Sequence, residues 1–171
     1  IEGNKHQMKH VYEQMVLVFH LMSVWLSTCF CVSASDFICM LFGETYKLSN
    51  MTVVLISIQL YLTVVVVASR SIQNATGSHS IDAKAMIVQA FSVIILSILG
   101  GKIWGLNGIL IGNIVPQFLF SFINKNMRIN NVIFEESIGK SVKRDLYFLV
   151  TFVIILIVNI IAALQIKTNS Y

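Results

Sequence analysis

The stretch KIWGLNGILIGNIVPQFLFSF, Lys102 to Phe122, is apolar enough for a bilayer, yet it holds Gly105, Gly108 and Gly112 and the only proline of the chain, Pro116. Glycine and proline are the poorest helix formers in water. In a membrane helix they are tolerated where small residues let a neighbour approach and where nearby groups satisfy the freed backbone. Gly105, Gly108 and Gly112 fall at i, i+3 and i+7, on one face of a helix. They therefore predict close helix packing. Pro116 predicts a bend, with Asn113 and Gln117 beside it as partners for the released carbonyl. The same segment also suits a hinge between two conformations of a transporter.

Composition extends this reading to the whole chain. Of 171 residues, 56% are hydrophobic and only 12% charged, and the mean hydropathy is +0.79. A soluble domain carries roughly 25% charged residues, so the chain reads as an integral membrane protein. A helix needs about 20 apolar residues to cross the hydrocarbon core. Five windows meet that length: Val11 to Ala34, Asn50 to Ser71, Ala83 to Leu99, Leu106 to Ile123 and Leu146 to Ile166. They are apolar on all sides and about twice as long as the alternating strands of an outer-membrane barrel. The predicted fold is all-α, a polytopic transmembrane helical bundle of about five membrane helices. Between the fourth and fifth windows, a polar connector containing Glu135 and Glu136 reads as an interfacial turn or a short amphipathic helix.

Charge assigns the sides. If the helices alternate, nine basic residues share the side of the N-terminus: Lys5, Lys9, Arg70, Lys84, Lys125, Arg128, Lys140, Lys143 and Arg144. The opposite side has Lys47, Lys102 and Lys167. By the positive-inside rule the N-terminus, the hinge near residue 77 and the connector are cytoplasmic. The formal charge of +4 is accounted for by this asymmetry and by contact with anionic lipid headgroups, so it gives no reason to invoke nucleic acid.

Landmarks along the chain point to a family. In order, they are Gly3-Asn4 before the first window, FICMLFGETY (Phe37 to Tyr46) closing it, Asn74 and Gly77 ending the second, DAK at Asp82 to Lys84, and WGLNGILIGNIV from Trp104. This order resembles the carboxy-terminal lobe of polysaccharide flippases, the O-antigen and capsule repeat-unit exporters of the multidrug/oligosaccharidyl-lipid/polysaccharide (MOP) superfamily. The resemblance implies two six-helix lobes, often with two further helices. It also implies alternating access that carries a lipid-linked oligosaccharide from the inner to the outer leaflet of the cytoplasmic membrane. Residues 1–125 would then be a four-helix part of that lobe, 126–145 a cytoplasmic connector, and 146–171 an additional transmembrane helix and short tail. The chain opens with IEGNKHQMKH, which reads like an interhelix loop, so the expected whole is a larger transporter whose remaining lobe is its partner.

The expected site residues follow from chemistry. A lipid pyrophosphate needs cations, which Arg70 and Lys84 supply beside the cytoplasmic hinge, and sugars need a polar route, which Gln59, Tyr61, Asn74, Gln89 and Asn113 could line. The same residues also fit blander roles, as headgroup anchors for the cations and interhelical hydrogen bonds for the amides. His20, two turns inside the first window, is a candidate for ion coupling or a neutral hydrogen-bonded interior histidine. The nearest acids in sequence, Glu13 and Asp36, lie near the inner and outer ends of that first helix. No catalytic residue, cofactor or metal site is expected: Cys29, Cys31 and Cys39 lack zinc-site spacing, and Gly100-Gly101-Lys102 lacks the setting of a phosphate-binding loop. Other readings are a multidrug or peptidoglycan-precursor exporter of the same superfamily, or a non-transporting small membrane subunit.

The assignment of sides is testable. Paired reporter fusions after Gly77 and Lys140 should be active only in the cytoplasm, and fusions after Lys47 and Lys102 only outside; the reverse pattern would overturn it.

Overall fold

The computed structural model describes residues 2–77, 83–124, 134 and 138–169. Four helices hold almost all of them: α1 (Glu2–Phe42), α2 (Asn50–Thr76), α3 (Ala83–Pro116), which continues into a π-helical stretch (Gln117–Asn124), and α4 (Ile138–Asn169). Among the described residues there is no strand. Most of the expected connector, 126–133 and 135–137, lies outside the described residues, as do residue 125 and hinge residues 78–82. Its last part, from Ile138, is the first two turns of α4.

Local chemistry sets the ends of α2. Ser49 is extended and accepts a hydrogen bond from the Thr52 amide at 3.2 Å, capping the first turn. At the other end Gly77 takes the left-handed conformation (φ 66, ψ 13), its amide donating to the Gln73 carbonyl. Helix α1 overruns its expected end at Ala34 by two turns, taking in the apolar run to Phe42, and stops where Gly43 adopts φ 91. It also begins earlier than expected. Gly3 and Asn4, read as a loop, are helical.

Four helices are long and apolar enough to cross a membrane, and one of them, α3, carries two of the five windows read from the sequence. The third and fourth windows form one element folded back on itself at Gly105, whose backbone (φ 58, ψ −133) is not helical. The reversal is proved by contacts that a straight helix would forbid. A Cβ on Gly108 would strike the Gly100 backbone, one on Gly112 would lie 2.6 Å from the backbone of Leu96 and Ser97, and one on Gly101 would lie 3.0 Å from the Ile109 side chain. Limbs 83–104 and 106–124 thus run antiparallel, each roughly 30 Å long at 1.5 Å per residue. Of the three expected packing glycines, only Gly108 and Gly112 lie in the seam. Gly105 is the turn itself, with nothing within 4 Å of its Cβ position.

Pro116 is fully buried and ends regular α-helix, and the chain widens into π turns directly after it. That is the expected response to a missing backbone donor and a ring crowding the preceding turn. Asn113 does bond a carbonyl, but that of Ile109 (3.4 Å), while Gln117 reaches away from its own helix to Thr63 Oγ1 on α2 (2.9 Å).

Helix α2 is the centre of the assembly. Almost half of its most apolar stretch is buried (44%), against none of that of α3 (0%). It pairs antiparallel with α1, as the Tyr12–Ser69 and His20–Tyr61 contacts show, and parallel with the second hairpin limb, through Thr52–Asn107 and Thr63–Gln117. Two apolar clusters fill the core. One gathers Val24, Tyr61, Leu62, Val65, Phe152 and Leu156, the other Tyr12, Val16, Ala68, Ile72 and Phe134.

The glycine seam makes a sharp comparison. Gly108→Ala should destabilise the folded chain in detergent by about 1–3 kcal/mol, the usual cost of overpacking, because the new methyl meets backbone that cannot swing aside. Gly139→Ala, at an open position of α4, should stay within about 0.5 kcal/mol of wild type. Unfolding titrations would show both, and equal effects would contradict the hairpin.

Candidate functional site

Polar side chains inside a membrane bundle face protein or water, so the buried ones mark the interior. On α1, the inward positions Tyr12, Val16, His20, Ser23 and Ser27 recur every three or four residues and are all buried. On α2, Ser57, Tyr61, Val65 and Ser69 do the same at intervals of four. These two stripes meet along the helix seam. On α4, the inward face is Ser141, Asp145, Phe152 and Leu156.

The stripes converge on His20. Its Nδ1 lies 3.1 Å from the Tyr61 hydroxyl on α2, and its Nε2 lies 3.3 Å from Thr151 Oγ1 on α4. One face of the imidazole stacks on Phe148 (4.4 Å between ring centres, 23° between planes), and Tyr61 meets it edge-on (5.8 Å, 86°). Tyr61 in turn stacks on Phe152 at 3.8 Å. Three helices are thus joined through one imidazole and one phenol. Below His20, Ser23 Oγ donates to the His20 carbonyl at 2.7 Å, while Ser27 Oγ is buried without a hydrogen-bond partner among the described groups.

The network assigns the hydrogens. Thr151 has one hydroxyl hydrogen and gives it to the Phe148 carbonyl at 2.8 Å. The contact with His20 must then run from Nε2–H to Thr151 Oγ1, which leaves Nδ1 bare to accept from Tyr61 O–H. A single neutral tautomer satisfies every polar atom of the trio.

Charge stands to one side of this centre. Asp145 is buried on the inward face of α4, and Arg144 Nε lies 3.6 Å from its carboxylate. The contacts of His20 itself include no carboxylate.

The residues expected to bind substrate do not gather here. Arg70 and Asn74 are exposed near the end of α2, and Lys84 is exposed at the start of α3. Gln59, Gln89 and Asn113 are half-buried on α2 and on the two hairpin limbs. The six are spread over three helical stretches. A groove on the described surface lies elsewhere, on the outer face of α1 between His10, Glu13, Gln14, Leu17 and Val18, all residues of one helix. Tyr61, which was expected to line a polar route, is instead sealed in the core.

Sequence reasoning singled out His20 but missed its partners Thr151 and Ser23 and the burial of Ser27 and Asp145. Asp145 lies just before the fifth window, in the stretch whose composition reads as a polar connector. The spacing of Ser23 and Ser27 four residues apart was the available signal, since small residues at that interval mark close helix contacts.

In comparisons with family models, curated proteins and solved structures, no match was found. The class is therefore defined by geometry: an all-helical chain with four helices long and apolar enough to span a membrane, compatible with a multi-pass membrane protein.

Burial separates two polar contacts that resemble each other on paper. Tyr61→Phe strips a buried hydrogen bond from His20 and should lower stability by about 0.5–2 kcal/mol, whereas Thr63→Val, at the exposed Gln117 contact, should cost less than about 0.5 kcal/mol. Thermal or denaturant unfolding in detergent decides it; a larger loss for Thr63→Val would remove His20 from the structural centre.

Proposed function

We propose that the chain is part of a polytopic transporter that flips a lipid-linked oligosaccharide across the cytoplasmic membrane by alternating access. The observation that carries this reading is the ordered run of landmarks from FICMLFGETY to WGLNGILIGNIV on a chain whose helices suit a bilayer. The charge bias between loops supports a cytoplasmic N-terminus. The wide apolar surface of the first hairpin limb, with Phe91, Ile94, Ile98 and Ile103 exposed, is what lipid or a second lobe would cover. The helical state of Gly3 and Asn4 weakens the resemblance at that end.

In this reading Arg70 and Lys84 meet the anionic headgroup as it enters from the cytoplasmic side. The amides Gln59, Asn74, Gln89 and Asn113 serve the sugars only if a partner lobe completes the route, because within this chain they do not share a cavity. No covalent chemistry is involved. A second reading, a non-transporting membrane subunit, is favoured by that same dispersal and by a core filled with Tyr61 and Phe152.

Arg70→Gln and Lys84→Gln decide between them. In the intact transporter each should lower export about tenfold, the scale of one charge-assisted hydrogen bond, with normal membrane insertion. Unchanged export in both variants would leave the subunit reading.

A further inference from the structure

A histidine held by two hydroxyls inside a helical bundle can be a fixed brace or a proton site, and what separates the two is how the network responds to one added proton. Here the neutral network is closed. Nε2–H donates to Thr151, the Thr151 hydroxyl is committed to the Phe148 carbonyl, and the bare Nδ1 accepts the only hydrogen of Tyr61. Adding a proton fills the Nδ1 lone pair and turns that atom into a donor. It then faces the Tyr61 oxygen across 3.1 Å, and the phenol can no longer donate to it. The phenol must rotate and accept. Its own hydrogen then needs a new acceptor.

We propose that His20 is the site at which this bundle takes up and releases a proton, with Tyr61 and Thr151 as the partners that register its charge. The proton comes from hydronium in the water at one membrane face, forms an N–H bond at Nδ1 and returns to water on release. Nothing is oxidised or reduced. The uptake changes contacts between α1, α2 and α4 together, because His20 belongs to α1, Tyr61 to α2 and Thr151 to α4. Imidazole is suited to the task because its unperturbed titration lies in the physiological range.

The charged groups around the site set its context. From α2 the titratable neighbour is Tyr61, and the charged pair on the inward side of α4, outside the contacts of His20, is Asp145 with Arg144. On α1 itself Tyr12 lies two turns away in the same stripe, while His10 and Glu13 face the outer groove. The described charges of the hairpin, Lys84 and Lys102, are exposed near its two ends. A proton on His20 therefore puts a charge at the meeting point of the three helices, among the hydroxyls of Tyr61 and Thr151.

The proposal rests on the transporter reading only for what the proton would drive; uptake itself can be read directly. Nitrogen-15 spectra of the histidines, recorded for the full chain in lipid nanodiscs between about pH 8 and pH 5, report both tautomer and charge. The His20 signal is the one missing from His20→Gln or, should that variant not fold, the one displaced in Tyr61→Phe. The expected result is a neutral ring protonated at Nε2 at high pH, conversion to the doubly protonated ring as pH falls, and Tyr61 ring signals that shift with the same midpoint. A His20 that stays neutral throughout overturns the proposal, and so does one that titrates while Tyr61 stays unchanged. Export by the intact transporter separates the two readings. Export that persists while His20 never titrates removes the proton site and keeps the transporter. Titration as described in a protein that exports nothing keeps the proton site and removes the transporter.

Discussion

Tyr61 is where the bundle is tied together. Its hydroxyl bonds the imidazole of α1, its ring lies against Phe152 of α4, and its own helix, α2, is the one that touches every other helical layer. In a bilayer, apolar side chains gain little by leaving lipid for protein, so association depends on close packing and on polar groups that find partners only inside. Tyr61 supplies both. The stripes of serine on α1 and α2 permit the approach of backbones that brings Tyr61 and His20 within bonding distance.

The hairpin of α3 obeys the same constraint by another means. It has few polar groups to bind with, so its limbs come together through missing side chains. Gly100 and Gly108 touch backbone to backbone, and Gly112 lies against Leu96 and Ser97. Two polar links then attach the second limb to α2: Thr52 to Asn107 at 2.8 Å and Gln117 to Thr63 at 2.9 Å. The first limb leaves its apolar side chains on the surface. This asymmetry, an enclosed α2 beside an almost uncovered hairpin limb, is the feature most in keeping with a chain that has lipid or further protein around it.

His20 gains its interest from the economy of its hydrogen bonds. A histidine with a spare acceptor nearby can gain a proton without consequence. This one sits where each hydrogen has a single destination, so a change at Nδ1 must be answered by Tyr61. The expected substrate residues lack any comparable arrangement, being distributed over exposed helix ends, the middle of α2 and separate limbs.

Sequence alone determined the all-helical class, the approximate position of the long helices, and the end of α2 near Gly77, because these follow from hydropathy over a bilayer-sized window and from local backbone chemistry. It also singled out His20, since an ionisable group deep in an apolar run is conspicuous in one dimension. Only the tertiary structure decided that Gly105 is a reversal and not a packing residue, that Gln117 bonds α2 instead of the carbonyl freed by Pro116, and that Asp145 belongs to the interior. Spacing within one helix tells which residues share a face. Which face meets which, and in what register, is set by contacts between residues tens to more than a hundred positions apart, such as His20 with Thr151, and no local pattern carries that information.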